Sequence, residues 1–187
     1  MKRIAFFFLL LASIGGGFWY IKNNVSLSLQ QQSTLGGMQF NLINQDGKYI
    51  SNKKMLGKYT VIFFGFSRCS SICPTQLAKI SAVLEALNSR SLQAFFISID
   101  PYDTVDKLKD FHGQFDERIQ MLTGPKEEIE NIVNSYKVFA TFSEDPEKIN
   151  HSTILYIMGK DGKYLDHFNI SASDVDEAVA YMKETIR

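Results

Sequence analysis

Cys69 and Cys73 are the only cysteines in this chain of 187 residues, and they stand three residues apart in Phe66-Ser67-Arg68-Cys69-Ser70-Ser71-Ile72-Cys73-Pro74. A thiolate is both a nucleophile and a soft metal ligand, so such a pair is either a redox couple or part of a soft-metal site. A purely stabilising disulfide is the bland alternative. A loop closed over so few residues removes little unfolded-state entropy, so that staple would be weak. Disulfide oxidoreductases of thioredoxin type keep two residues between their cysteines. The extra residue here moves the sulfurs apart and leaves room for a cation, and gaps of two to four are ordinary for metal-binding cysteines. Two thiolates match hard cations poorly and match Cu(I) or Zn(II) well. A third ligand is then needed.

The chain has three histidines, His112, His151 and His167. A single histidine is more often surface or core decoration than a ligand. His151 is the candidate because it ends a charged loop, residues 143–150, and opens an apolar run, Ser152 to Met158. His112 falls within a helical pattern and His167 within the return strand of a hairpin, both ordinary positions for a side chain without a metal.

The elements that must position these residues follow from hydrophobic periodicity. Met38 to Ile43 alternates apolar and polar, Asp46-Gly47 supplies a turn and Lys48 to Ser51 returns, which predicts an N-terminal β-hairpin. Tyr59 to Phe66 is a continuous apolar run of the kind covered on both faces of a sheet, and the cysteine segment follows it directly. Leu77, Ile80, Leu84 and Leu87 then share one helical face, with Pro74 suited to its first position. Both sulfurs therefore sit near a helix N-terminus, where backbone N–H groups and the helix dipole favour thiolate over thiol. Ala94 to Ile99 is a second buried strand, followed by a helix from Thr104 with Val105, Leu108, Phe111 and Phe115 inward. Ile119 to Leu122 is a third strand, and Pro125 opens a helix bearing Ile129, Ile132, Val133 and Tyr136. Val138 to Phe142 forms a short extended piece. Ser152 to Met158 and Tyr164 to Phe168 form a hairpin about Asp161-Gly162, and Ser173 to Asp176 has the pattern of a capping box before a last helix. The order describes an α/β fold, a thioredoxin-like sandwich with an N-terminal β-hairpin and an insertion before the C-terminal hairpin. In such sheets ligands bind at the carboxyl ends of the strands, where the cysteine loop and the loops after Ile99 and Leu122 belong.

The composition is that of a globular domain, 45% hydrophobic and 21% charged, with a formal net charge of zero. That balance and the absence of a basic stripe give no reason to expect a nucleic-acid partner. The N-terminus departs from this average: Lys2-Arg3 is followed by 18 uncharged residues, Ile4 to Ile21, ending near Trp19-Tyr20. This fits an uncleaved signal-anchor over residues 1–21 with its N-terminus in the cytoplasm. A cleaved signal peptide is the alternative, but no small-x-small cleavage site and no lipobox cysteine stand out. Polar residues 22–34 form a linker, and residues 35–187 form the exported domain. Thiols on the exported side tend to oxidise unless a reductant or a metal holds them.

Several motifs together resemble the Sco/SenC family, whose members assist cytochrome c oxidase biogenesis. They are Cys69-Ser-Ser-Ile-Cys73-Pro74 after Phe-Phe-Gly-Phe, Asp100-Pro101-Tyr102-Asp103-Thr104, Leu122-Thr123-Gly124, Tyr136-Lys137-Val138, and Asn150-His151-Ser152 running into Tyr156 and Asp161-Gly162-Lys163. The resemblance extends from about residue 35 to the C-terminus. It implies a copper site formed by Cys69, Cys73 and His151, one copper per chain as Cu(I) or Cu(II). It also implies delivery or preparation of copper for the CuA site of the oxidase, with oxidase subunit II and a copper-donor protein as partners. The same sulfurs support a second reading, a thiol-disulfide oxidoreductase with Cys69 and Cys73 as the redox pair. Location follows as the inner membrane with the domain facing a bacterial periplasm, since no Arg- and Ser-rich presequence is present. Three departures stand out: Ser70 and Ser71 replace the family's usual Pro and Asp, and the Asp-Pro segment is one residue shorter. Asp100 and Asp103 are expected either to support the site or to serve as turn and helix-cap residues.

Overall fold

The structure is a computed structural model that describes residues 35–186, so the anchor and linker expectations for residues 1–34 lie outside the described residues. Leu35–Arg187 forms one compact unit. It opens with β1 (Asn41–Asn44) and β2 (Tyr49–Ser51), an antiparallel pair turned at Gly47, whose φ of +74° is one that residues with a Cβ seldom adopt. β3 (Tyr59–Gly65) leads through the cysteine loop into α1 (Ile72–Leu87). Then come β4 (Leu92–Ser98), α2 (Val105–His112), β5 (Ile119–Thr123) and α3 (Lys126–Ser135). Two short strands, β6 (Ala140–Thr141) and β7 (Asn150–His151), make the insertion, and β8 (Ile154–Met158), β9 (Tyr164–Asn169) and α4 (Val175–Thr185) complete the fold.

The main sheet runs β2-β1-β5-β4-β3-β8-β9, with β3, β4 and β5 parallel and the other pairings antiparallel. β3 and β4 are covered on both faces, as their uninterrupted apolar runs require. Register explains how the faces are filled. Phe63 pairs with Phe96 and presents its ring to the side of the sheet where Phe111 of α2 packs, while Phe64 and Tyr156 meet Tyr136 at the end of α3 on the other side. α1 and α4 cover Val61 and Leu155 with Ile80, Val83 and Met182. Each fully buried phenylalanine contributes about 1.5–3 kcal/mol, and the four on β3 and β4 give the strands a firm seat below the site. The fold is the expected thioredoxin-like sandwich with its hairpin and insertion.

Three local details differ from the periodicity reading. α1 begins at Ile72 rather than Pro74, which puts Cys73 inside the first helical turn and Pro74 third in that turn. Proline is tolerated there because the first-turn N–H groups have no carbonyl partner in the helix. The capping box sits one residue later than Ser173, at Asp174 with Glu177. His112 ends α2 instead of lying in its middle.

The end of β3 sets the distance between strand and thiol. A Cβ on Gly65 would stand 2.7 Å from Phe96 and 3.0 Å from the Cys73 sulfur. Gly65→Ala is expected to cost about 1–3 kcal/mol through overpacking and to displace Cys73. Urea unfolding with intact slope and a lowered midpoint checks the first effect, and an altered Cys73 alkylation rate in native protein checks the second.

Candidate metal centre

The cysteine loop closes on itself before the helix starts. Cys69 N–H donates to the Phe66 carbonyl at 3.3 Å, and Cys73 N–H donates to the Cys69 sulfur at 3.4 Å. Ser71 occupies the N-cap position, yet its side chain makes no capping bond. The Cys69 sulfur takes that place by accepting a first-turn amide. The Cys73 thiol also hydrogen-bonds to Cys69, and this bond, with the amides of Cys73, Ser71 and Ile72, holds the Cys69 pKa down to about 5 against a smaller opposing effect of burial. Cys73 is pushed strongly the other way, first by that same bond and then by burial. One sulfur is therefore a half-exposed thiolate and its neighbour a buried thiol. Both are free.

His151 comes to the pair from β7, which is held to β6 through Ala140. Its Nε2 lies 3.4 Å from the Cys73 sulfur. The other nitrogen, Nδ1, is 3.0 Å from the Ser152 carbonyl, which can only accept, so Nδ1 carries a proton and Nε2 is the nitrogen turned toward the thiols. Phe63 and Phe66 meet the imidazole edge-on at centroid distances of 6.1 and 5.8 Å, fixing its plane between two apolar walls.

The donor types suit a soft cation: two cysteine sulfurs and an imidazole nitrogen. A sulfur and a nitrogen sharing one tetrahedral zinc-sized ion lie about 3.5 Å apart, from bond lengths of roughly 2.3 and 2.0 Å. The contact between Cys73 and His151 is close to that. Among the described residues no three acidic, cysteine or histidine side chains are gathered as a finished metal cluster. Cys73 is the shared member, touching Cys69 and His151 separately.

The layer below the loop holds Asp100 and Asp103, whose role was open between site support and turn or cap, together with Ser67, Arg68 and Ser98, which sequence reasoning missed. Asp103, 4% exposed, accepts from the Ser67 N–H at 2.8 Å, from the Ser67 hydroxyl and from the Ser98 hydroxyl at 2.5 Å. Asp100, 2% exposed, accepts a two-pronged bond from Arg68, Nε at 2.6 Å and Nη2 at 3.0 Å. The two aspartates thus hold the two residues that precede Cys69. The cap of α2 is Thr104, which accepts from Lys107 N–H, so neither aspartate is needed for that task. The available signal was Arg68 itself, the one cation between Lys58 and Lys79. His112 and His167 stand apart from this arrangement: His112 Nε2 is buried without a partner, and His167 bonds the Tyr164 hydroxyl at 2.6 Å on β9.

A dithiol at the first turn of the helix after a central strand, met by an imidazole from an insertion hairpin, defines a thioredoxin-like protein with a thiol–imidazole centre. The SCO1/SenC family model matches residues 28–187, and the chain belongs to that family. It is 30% identical over 202 aligned positions to the mitochondrial SCO1 homolog 1 of Arabidopsis thaliana, an alignment covering 97% of this chain and 60% of the length of that relative. Among solved structures it is similar to ScoI of Bradyrhizobium japonicum with copper bound, at 35% identity and a TM-score of 0.70, covering 80% of this chain and 98% of the other. It is also similar to BsSco, a member of the Sco family of cytochrome c oxidase assembly proteins in which a disulfide switch was identified, at 26% identity and a TM-score of 0.69, covering 82% and 94%.

The unlike thiols predict a pH signature. A cysteine lowered from 9.0 to about 5 stabilises the fold fully above its unfolded pKa, and that stability is lost as pH falls through about 5. Metal-free protein should accordingly lose stability between pH 9 and 5 with a slope that Cys69→Ser abolishes, measured by urea unfolding across that range. Alkylation by iodoacetamide should label Cys69 at pH 6 and spare Cys73.

Proposed function

We propose that this protein is a copper chaperone for cytochrome c oxidase assembly, holding one copper ion through Cys69, Cys73 and His151 and passing it toward the CuA site of oxidase subunit II. The observation that carries the reading is the 3.4 Å approach of His151 Nε2 to Cys73 beside the Cys69 thiolate. Membership of the SCO1/SenC family and the copper-bound Bradyrhizobium structure support it. Copper enters as cargo. The two sulfurs favour Cu(I), the imidazole permits Cu(II), and a set of only three donors leaves the ion open to an incoming ligand. Cys69 is the accessible sulfur and the point of exchange, while Cys73 and His151 are held by their surroundings. Loading displaces the Cys73 proton, so copper uptake releases protons. An anchor over residues 1–21 and a linker over 22–34 fit delivery to a membrane enzyme from the periplasmic side. No helix among the described residues is long and apolar enough to cross a membrane.

A second reading, reduction of a disulfide in the oxidase copper site, is favoured by the inequality of the thiols. An exposed thiolate would attack the partner disulfide, and the buried neighbour would resolve the mixed disulfide, leaving Cys69 and Cys73 oxidised and the partner dithiol reduced. This use needs no histidine.

Copper loading separates the two. Wild type should hold about one copper per chain and give a thiolate-to-Cu(II) absorption band, both lost in Cys69→Ala and Cys73→Ala, with His151→Ala losing the Cu(II) band and at least about tenfold in affinity. Oxidase assembly supported by His151→Ala but not by a single-cysteine variant would sink the chaperone reading and leave the reductase.

A further inference from the structure

Arg68 touches more of the site's surroundings than any ligand requires. Its guanidinium grips Asp100 with two nitrogens, and Nη2 also donates to the Glu144 backbone carbonyl at 3.2 Å. Its cation lies 5.3 Å over the Tyr102 ring. One side chain therefore joins three segments: the thiol loop that carries it, the turn of residues 100–103, and the insertion that carries His151.

The insertion transmits this hold. Thr141 Oγ donates to the Lys148 carbonyl at 2.9 Å and accepts from Asn150 N–H at 2.7 Å, and Ala140 pairs with His151. Asp145 caps the short turn at Pro146–Lys148. These bonds tie residues 140–151 to one another, so a hold on Glu144 bears on the position of His151. The contacts between Arg68 and Asp100 are charge-assisted and two-pronged, which gives direction as well as strength. Lysine keeps the charge but not the planar fork.

We propose that Arg68 is a positioning residue for the metal centre, a latch that holds the His151 hairpin against the cysteine loop and so sets whether the imidazole reaches an ion on the two sulfurs. The copper part of this rests on the function proposed above; the latch itself belongs to the metal-free protein. Cu(II), which calls on the imidazole, depends on the latch, and Cu(I), which two thiolates satisfy, depends on it far less. A break between Arg68 and Glu144 is then a route to release that leaves the sulfurs in place.

Arg68→Ala and Arg68→Lys test this in the full chain. In metal-free protein both should raise hydrogen exchange at the Asn150 and Ser152 amides by about tenfold, with the β3 and β4 core amides unchanged as proof of an intact fold. In competition titrations both should weaken Cu(II) by about tenfold, displace its thiolate absorption band, and change Cu(I) affinity less than about twofold. Placed on His151→Ala, Arg68→Ala should have no further effect on Cu(II), since the residue acts through the imidazole. Unchanged exchange at residues 150 and 152, full rescue by lysine, or an additive loss in the double variant each overturns the latch. Copper binding indifferent to His151→Ala would overturn the proposed ligand set, leaving the exchange result to judge the latch alone.

Discussion

An α-helix begins with amide groups that no carbonyl in the helix can accept, and in α1 one of them is given to a sulfur. The bond from Cys73 N–H to the Cys69 sulfur at 3.4 Å joins three otherwise separate facts. It fixes how far apart the cysteines sit. It adds to the larger effect of the Cys73 thiol bond in making Cys69 a thiolate at neutral pH, because an amide and the helix dipole favour the negative form. It also ties the state of the site to the start of the helix, since a proton or an ion on Cys69 competes with the amide for the same lone pairs. With Ser71 making no cap bond of its own, sulfur is the acceptor that first turn has.

This arrangement needs a loop that stays where it is, and the support comes from two nearly buried carboxylates. Asp103 has its oxygens engaged by the serines at 67 and 98, and Asp100 is engaged by Arg68. A buried carboxylate left without a partner is costly, and removing one member of such a pair is worse than never having had it. The cysteine loop is thus held from its N-terminal side by charge and from its C-terminal side by a helix. Between them stand only Ser70, Ser71 and Ile72, two of them small and polar. Stiffness lies around the thiols rather than between them.

Much of the frame was legible because it follows from periodicity. The apolar runs at 59–66 and 94–99 could be satisfied only by central strands, and the helical faces at Leu77, Ile80 and Leu84 or Ile129, Ile132 and Val133 appear as expected. The candidate residues were legible as types: thiols at a strand-to-helix turn and a histidine at a loop-to-strand junction. The approach of His151 to Cys73 across 78 positions of chain was expected from that junction and from the family resemblance but not from periodicity, since it rests on β6 and β7, strands of two residues each. The roles of Asp100 and Asp103 were open for a related reason. An aspartate after a strand reads equally as a turn, a cap or a buried acceptor, and only its partners, Arg68 and Ser67 more than thirty residues earlier, decide.

The replacement of the family's Pro and Asp by Ser70 and Ser71 takes on meaning from that layout. Proline beside Cys69 would stiffen the turn through the unfolded state, and a carboxylate there would repel the thiolate. With serine at both positions the loop lacks the proline's restriction and Cys69 lacks that repulsion. A loop without that restriction holds the geometry an ion needs only if something outside it takes part. The charged grip of Arg68 on Asp100, one residue before the first sulfur, stands where that support is required. It also reaches the Glu144 carbonyl, so the means of keeping the sulfurs in place and the means of keeping the imidazole near them are one side chain.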